Sequence, residues 1–428
     1  MQRASSTDRT ASPPALLFLG HYYGTLATAR CLGERGVKVV LADTRRWQRA
    51  AGSRHVDERV VCPPVTDVDG FVAWLTAFGQ EHPGHVLFPA SDELAWVFAV
   101  HADLLDRSFV RYGPGRDSIT SILDKWRLTE ACRKVGIDTP KPFCPEDDAG
   151  VLALANELTV PVMIKPRSQV LLTSGSKGTK VGDPKDLPAA YRTFVDENPT
   201  VDALSSRDPS LGRPLVQEYR PEAAQGIYNL AGFIDRSGEH VVVRASRKIL
   251  QRPRKLGIGL CFESAPLDAA LADGVMHLCR ELGYFGIFEI EMIETDGRFL
   301  LIDFNPRPYS QMAFEIARGV PLPYLAYLDA TGQEDALARA VAEAQTEPTS
   351  GATAYAHTLL LSLVIAGQAL ARPLGFGAPE PWAHWIRQNR LTDAVFDARD
   401  PLPALLDAAA HIEHFARHPR SFLRSLTR

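Results

Sequence analysis

The stretch FEIEMIETDGRFLLIDFNPRP, Phe288–Pro308, decides how the rest of the chain is read. Two apolar runs flank a Thr-Asp-Gly turn, the pattern of a β-hairpin. Acids nevertheless occupy positions where strand interiors normally carry none. Residues of equal parity in a strand share a face. Glu289 and Glu291 therefore point one way on the first arm, and Asp303, Asn305 and Arg307 point together on the second. The register between the arms decides whether these two faces coincide. If they do, hard oxygen donors gather beside a guanidinium. That set suits Mg2+ bridging phosphate oxygens, with arginine gripping an anionic oxygen through its planar fork. For the two glutamates alone, a solvated face with a salt bridge is the better explanation. Asp-x-Asn-x-Arg directly after Leu300, Leu301 and Ile302 is harder to read that way, because its neighbours read as buried.

The surrounding chain is long enough, at 428 residues, for two or three domains. Hydrophobic content of 45% and charged content of 23% fit a globular protein and exclude a disordered or coiled-coil one. A net charge of -4 argues against nucleic acid as a partner. The basic cluster from Arg244 to Lys255 is local and suggests a small anionic ligand. Cys31, Cys62, Cys132, Cys144, Cys261 and Cys279 form no C-x-x-C pair and are expected to be free thiols. Residues 1–14 are polar and lack the apolar core of a signal peptide, and His357–Ala371 is too short and interrupted to span a bilayer. The expectation is a cytoplasmic protein with no membrane partner.

From Ala15, ALLFLGHYYGTLATARCLGERGVKVVLAD reads as strand, turn, helix, strand, and HVLFPASDELAWVFA repeats the pattern with a helix after Ser91. Such alternation implies a parallel, doubly wound sheet over about residues 15–118. A helix stopped at Gly136 follows, then PVMIKP as a short buried strand carrying Lys165. The Ser/Gly/Lys-rich loop comes next, then LVQEYRPE, NLAGFID and HVVVRASRKI as strands. Residues 331–428 read as mainly helical, with a Pro-rich break between Arg372 and Pro381. Residues 1–14 read as a disordered tail.

The hairpin resembles the magnesium-binding hairpin of the ATP-grasp superfamily, whose usual form is an acidic strand followed by Glu-x-Asn-x-Arg. The resemblance extends from about residue 15 to about residue 330. It implies an α/β and α+β multidomain chain: a Rossmann-like pre-ATP-grasp domain (15–118), an ATP-grasp domain (119–330, lid about 160–220), and a helical C-terminal extension (331–428). By resemblance Glu291 and Asp303 bridge the metal, Asn305 is the third ligand and Arg307 grips the acyl-phosphate or carboxylate. Asp303 departs from the family, which most often has Glu there. Glu289 would support the site. Lys125 and Lys165 match the two nucleotide lysines. A lysine in an apolar strand carries a large desolvation cost without an anion, so Lys165 points to function, whereas Lys125 alone is uninformative, an exposed helical lysine being far commoner.

The loop TSGSKGTK, with Gly175, Ser176 and Gly178, resembles the glycine-rich lid over the phosphates; its composition also suits a flexible connector. LVQEYRPE resembles the hinge that holds adenine through main-chain groups of Glu218 and Tyr219, or is an ordinary edge strand. Glu222 or Gln225 would reach the ribose. Arg247 or Lys248 would stabilise the transferring phosphoryl group, and Arg247 is the preferred one. His21, Tyr22, Asp92 and Glu93 sit on strand-end loops where a co-substrate pocket is expected. Trp382 and Trp385 read as packing residues. The C-terminal helices would cap the pocket or form a homodimer surface.

The resemblance therefore implies a ligase that activates a carboxylate with ATP as an acyl phosphate and couples it to an amine of an amino acid, with ATP and Mg2+ (or Mn2+) as cofactors. Within the superfamily, RKILQRP and the hairpin look most like the D-aspartate ligases and related carboxylate–amine ligases; the biotin-carboxylating branch has a longer C-terminal layout. One rival is a nucleotide-cofactor oxidoreductase built on GHYYGT and Asp43, although G-x-G-x-x-G is absent. Another is a non-catalytic ATP-binding regulatory protein. Asp303, Asn305, Arg307 and Lys165 standing together argue against that one.

Overall fold

The computed structural model describes residues 12–158, 161–172, 178–224, 226–252, 258–346, 351–371 and 382–420. Three sheets organise them. β1 (Ala15–Phe18), β2 (Val39–Asp43), β3 (Glu58–Val61), β4 (Val86–Leu87) and β5 (Val110–Arg111) form a parallel sheet in the order β3-β2-β1-β4-β5. β1 and β2 are buried at every position, as uninterrupted apolar runs covered on both faces should be. The helix Tyr23–Gly33 follows β1, and Ser91 caps the helix Asp92–Val100 by accepting from Leu94 N at 3.3 Å.

β6 (Pro142–Phe143), β7 (Val162–Lys165), β8 (Thr179–Val181) and β9 (Leu215–Glu218) make a small antiparallel sheet ordered β6-β9-β7-β8. Val162, Ile164 and Val216 bury one of its faces against Leu154, Tyr191 and Phe194. The largest sheet holds β10 (Ile227–Ile234), β11 (Val241–Arg252), β12 (Ile258–Ala265), β13 (Gly286–Thr295), β14 (Arg298–Asn305), β15 (Ala354–Ala356) and β16 (Leu391–Asp393), in the order β14-β13-β10-β11-β12-β15-β16. A single buried cluster joins Phe18 and Leu87 of the first sheet to Ile290 and Phe304 of the hairpin.

The C-terminal region is mainly helical, as expected, with β15 and β16 also extending the large sheet. Three-residue strands are too short for periodicity to reveal them. Two sequence expectations change. Pro13 and Pro14 are built into the fold, their carbonyls accepting from Tyr327 Oη at 2.7 Å and Val86 N at 2.8 Å. The boundary expected near residue 118 falls inside the continuous helix Arg116–Leu123. The Pro-rich break lies outside the described residues.

The helix Leu402–Arg417 is tied to the first domain by buried charge. Asp407 accepts from Arg49 Nε at 2.6 Å, and His357 Nε2 lies 3.0 Å from its other oxygen. Burial alone would raise the Asp407 pKa, but His357, Arg49 and His411 outweigh it and hold the carboxyl below its usual range. The Arg49 guanidinium also donates to the carbonyl of His21 and lies 4.1 Å from the centre of the Tyr23 ring. Arg49→Ala should therefore lower unfolding free energy by about 3 kcal/mol in chemical denaturation, because it strips a buried carboxylate of its cation; an unchanged transition would contradict this anchoring.

Candidate functional site

The hairpin register brings the two acidic faces together. Glu289 stands opposite Asn305 and Glu291 opposite Asp303. The register then shifts, so that Met292 pairs with Leu301 and Ile302 is the extra residue of a bulge. That insertion has a purpose in packing. It lets Leu301 join Met292, Ile290 and Phe288 in the core while Asp303, two positions on, faces the cleft. Asp296 and Gly297, at φ 50° and 72°, close the arms as a two-residue turn with positive φ at both central positions.

Lysines from separate elements converge on these acids. Lys125 opens the helix Lys125–Val135 and places Nζ 2.9 Å from Asp303 Oδ1. Lys248 of β11 places Nζ 2.7 Å from Glu291 Oε1. Burial alone would lower both lysine pKa values, but the facing carboxylates raise them. Lys165 ends β7 and makes no ion pair among the described residues. Burial, then the charge of Lys125, lower its pKa to about 8, against a smaller pull from Asp303 and Glu291. Burial and the neighbouring Glu291 push the Glu289 carboxyl well above its usual range. It is held by Asn305 Nδ2 at 3.0 Å and by the Gln311 side-chain amide.

Alternation along β11 corrects the choice of Arg247. It pairs with Glu294 and sits by Tyr228 on the opposite side of the sheet from Glu291, so Lys248 is the strand's cation in the site. A support that the sequence did not reveal fixes Lys125 relative to Lys165. Buried Asp124 receives both Nε and Nη2 of Arg167, each at 2.8 Å, caps Trp126 N at 3.0 Å, and the Arg167 carbonyl accepts from Lys125 N at 2.9 Å. The bidentate geometry locks a helix start to the end of β7. The only hint in the sequence is Arg167 two residues after the strand lysine, since its partner is far away in the chain.

Lys248, Glu289, Glu291, Asp303 and Asn305 line a cleft of about 1120 Å³, open to solvent, between the first domain and the hairpin. Tyr22, Asp92 and Glu93 form its far wall. Arg307 crosses it, donating to Asp92 Oδ1 at 2.7 Å and to Asn305 Oδ1 at 2.9 Å; burial opposes its charge but Asp92 raises its pKa. His21 is not part of the lining: its ring stacks on Tyr22, and Nδ1 lies 3.9 Å from Asp43. Asp43 is buried and accepts from Gly20 N at 2.5 Å, so it closes the β1 turn rather than facing a ribose. Gly24 has a packing reason instead: a Cβ there would meet the Tyr309 carbonyl at 2.6 Å.

The nucleotide candidates divide. Gly178 leads into β8 at φ 147°, where a Cβ would lie 2.7 Å from the Ile164 carbonyl beside Lys165. Gly175, Ser176 and Gln225 lie outside the described residues. The amides of Glu218 and Tyr219 do not face a ligand, because β9 is an interior strand: they donate to Lys141 O at 3.0 Å and Pro161 O at 3.1 Å. Glu222 Oε1 accepts from Thr295 Oγ1 at 3.4 Å. Trp385 donates Nε1 to Glu263, a packing role, and the side chain of Trp382 is outside the described residues.

The residues present fit a divalent cation. Glu291, Asp303 and Asn305 offer hard oxygens from one face, and each of the two carboxylates is paired with a lysine ammonium.

No protein-family model matches the chain. Biotin carboxylase of Pseudomonas aeruginosa is 23% identical over 315 residues, 67% of this chain and 64% of that enzyme's length. Among solved structures, biotin carboxylase of Campylobacter jejuni superposes with a TM-score of 0.59 at 16% identity, over 74% of this chain and 71% of that one. N5-carboxyaminoimidazole synthetase of Staphylococcus aureus, solved with ADP, gives 0.58 at 13% identity over 77% and 80%. An L-amino acid ligase of Bacillus licheniformis gives 0.55 at 15% identity over 75% of each chain. The chain has the ATP-grasp fold. No helix among the described residues is long and apolar enough to cross a membrane.

Lys165 sets a pH signature. Free, it holds its proton only below about pH 8; a bound polyanion favours the charged form. Above that value nucleotide binding should take up a proton, and affinity should fall by up to about tenfold per pH unit. Calorimetry in buffers of different ionisation enthalpy would show the uptake in wild type and not in Lys165→Met; a pH-independent affinity would contradict it.

Proposed function

We propose that the protein is an ATP-dependent carboxylate–amine ligase. The observation that carries the reading is the convergence of Lys125, Lys165 and Lys248 on the Glu291–Asp303 pair at the floor of an open cleft. Lysines and carboxylates gathered from separate elements suit phosphoryl transfer, which needs positioning and charge rather than a nucleophilic side chain.

Lys125, Lys165 and Lys248 would hold the phosphate oxygens of ATP, leaving Asp303 and Glu291 available. Glu291, Asp303 and Asn305 would then hold Mg2+, with Mn2+ as an alternative. The ion, when bound, offsets negative charge on the β- and γ-phosphates. Arg307 orients the carboxylate substrate at the junction of cleft wall and hairpin. A carboxylate oxygen attacks the γ-phosphorus and the bond to the β-phosphate oxygen breaks, giving an acyl phosphate and ADP. The amine nitrogen then attacks the acyl carbon, the carbon–oxygen bond to phosphate breaks, and the amine gives up a proton as the amide forms. Asp92, Glu93 and Tyr22 on the far wall offer the polar surface for the amine, and an amino acid fits both walls. Adenine contacts fall to groups other than the amides of Glu218 and Tyr219. We place the reaction in the cytoplasm, where ATP and Mg2+ are supplied.

The likeness to biotin carboxylase favours a second reading, in which bicarbonate is the activated acid and a ring nitrogen the acceptor. Both readings share the phosphorylation step and part at the acceptor. A screen of carboxylates and amines for ADP release, with product masses, separates them from bicarbonate with biotin. Asp303→Asn and Arg307→Ala should each cut ADP formation at least about a hundredfold with circular dichroism unchanged. Turnover near the wild-type rate in either variant would remove the site assignment.

A further inference from the structure

Asn229 stands in the middle of β10, fully buried, and neither its side-chain Oδ1 nor its Nδ2 has a hydrogen-bond partner among the described residues. Pairing sets it between Ser246 of β11 and Glu291 of β13, on the sheet face that carries Glu289, Asp303 and Asn305. Its neighbours of equal parity on the strand are Ile227 and Ala231, so an apolar residue would suit the local pattern. Burying a primary amide without partners is unfavourable, and such groups in folded proteins nearly always find one. The orphaned amide therefore points to a second state of the site in which a partner arrives.

We propose that Asn229 is a positioning residue for the divalent-ion site: its Nδ2 is the hydrogen-bond donor that Glu291 takes up when its carboxylate turns from Lys248 to the cation. The inference rests on the ATP-and-metal reading of the cleft. In the structure Glu291 Oε1 is held by Lys248 at 2.7 Å. Once the lysine turns to phosphate, one carboxylate oxygen serves the cation and the other needs a new donor to fix its orientation. A second ammonium there would compete with the cation. A neutral amide on the adjacent strand orients the carboxylate without that competition. Lys248 and Glu291 then exchange partners together, and Asn229 makes the exchange two-state rather than loose.

The test uses the full chain and ADP with and without Mg2+, in wild type, Asn229→Leu, Asn229→Ala and Asp303→Asn. Asn229→Leu should weaken Mg2+-dependent ADP binding by about tenfold or more, leave Mg2+-free ADP affinity as in wild type, and raise the ligand-free Tm by about 2 °C or more. Asn229→Ala, which needs no extra room, should show the same loss of Mg2+ dependence. Unchanged Mg2+ dependence in both variants, or a folded Asn229→Leu that melts lower than wild type, overturns the assignment of Asn229 alone. If wild-type ADP binding does not depend on Mg2+, or Asp303→Asn keeps that dependence, the metal reading falls and this inference falls with it.

Discussion

Glu291 and Asp303 face each other across two neighbouring strands, and that pairing constrains everything around it. Like charges at such a distance repel, and each lies in a cleft whose walls exclude much of the water. The fold answers with cations from three directions: a helix start (Lys125), the end of an interior strand of the small sheet (Lys165) and a central strand of the large one (Lys248). Each cation needs its own support. The Asp124–Arg167 pair gives the first two a shared frame, and the interior position of β11 supplies the third. In the proposed reading, the ion pairs are a resting arrangement of charges that a polyanion and its counter-ion replace.

Much of this was legible from residue order. Strand parity put Glu289 with Glu291 and Asp303 with Asn305, and the apolar context of Lys165 marked it as more than a surface lysine. What the sequence withheld was phase. Nothing in RASRKI tells which of Arg247 and Lys248 faces the acids until β11 is paired with β10, and the two differ by a whole sheet thickness. The engagement of the two hinge amides was hidden for a related reason. Whether the amides of Glu218 and Tyr219 are free depends on β9 having neighbours on both sides, a fact carried by Lys141 and Pro161 elsewhere in the chain. Asp124 and Arg167 form a pair that only tertiary structure creates. β15 and β16 are strands because an existing edge offers them hydrogen bonds, not because three residues can declare a conformation.

The same site shows where local rules are broken for use. A charge-free floor would be more stable than one with Glu289 buried, the charge of Lys165 disfavoured by burial and the Asn229 amide without a partner among the described residues. These departures cluster within one cleft, whereas the surrounding sheets follow alternation and burial closely. Strain of this sort is released by ligand rather than by repacking.

The tether at Arg49 carries a consequence for how such a molecule changes over generations. One guanidinium touches the helix Leu402–Arg417 through Asp407 and the backbone of the loop that bears Tyr22 through the His21 carbonyl. Drift in a helix remote from the chemistry thereby reaches the wall of the cavity as a mechanical adjustment of its rim. Selectivity can diverge among descendants whose lining residues are identical, with the tail acting as the tuning peg.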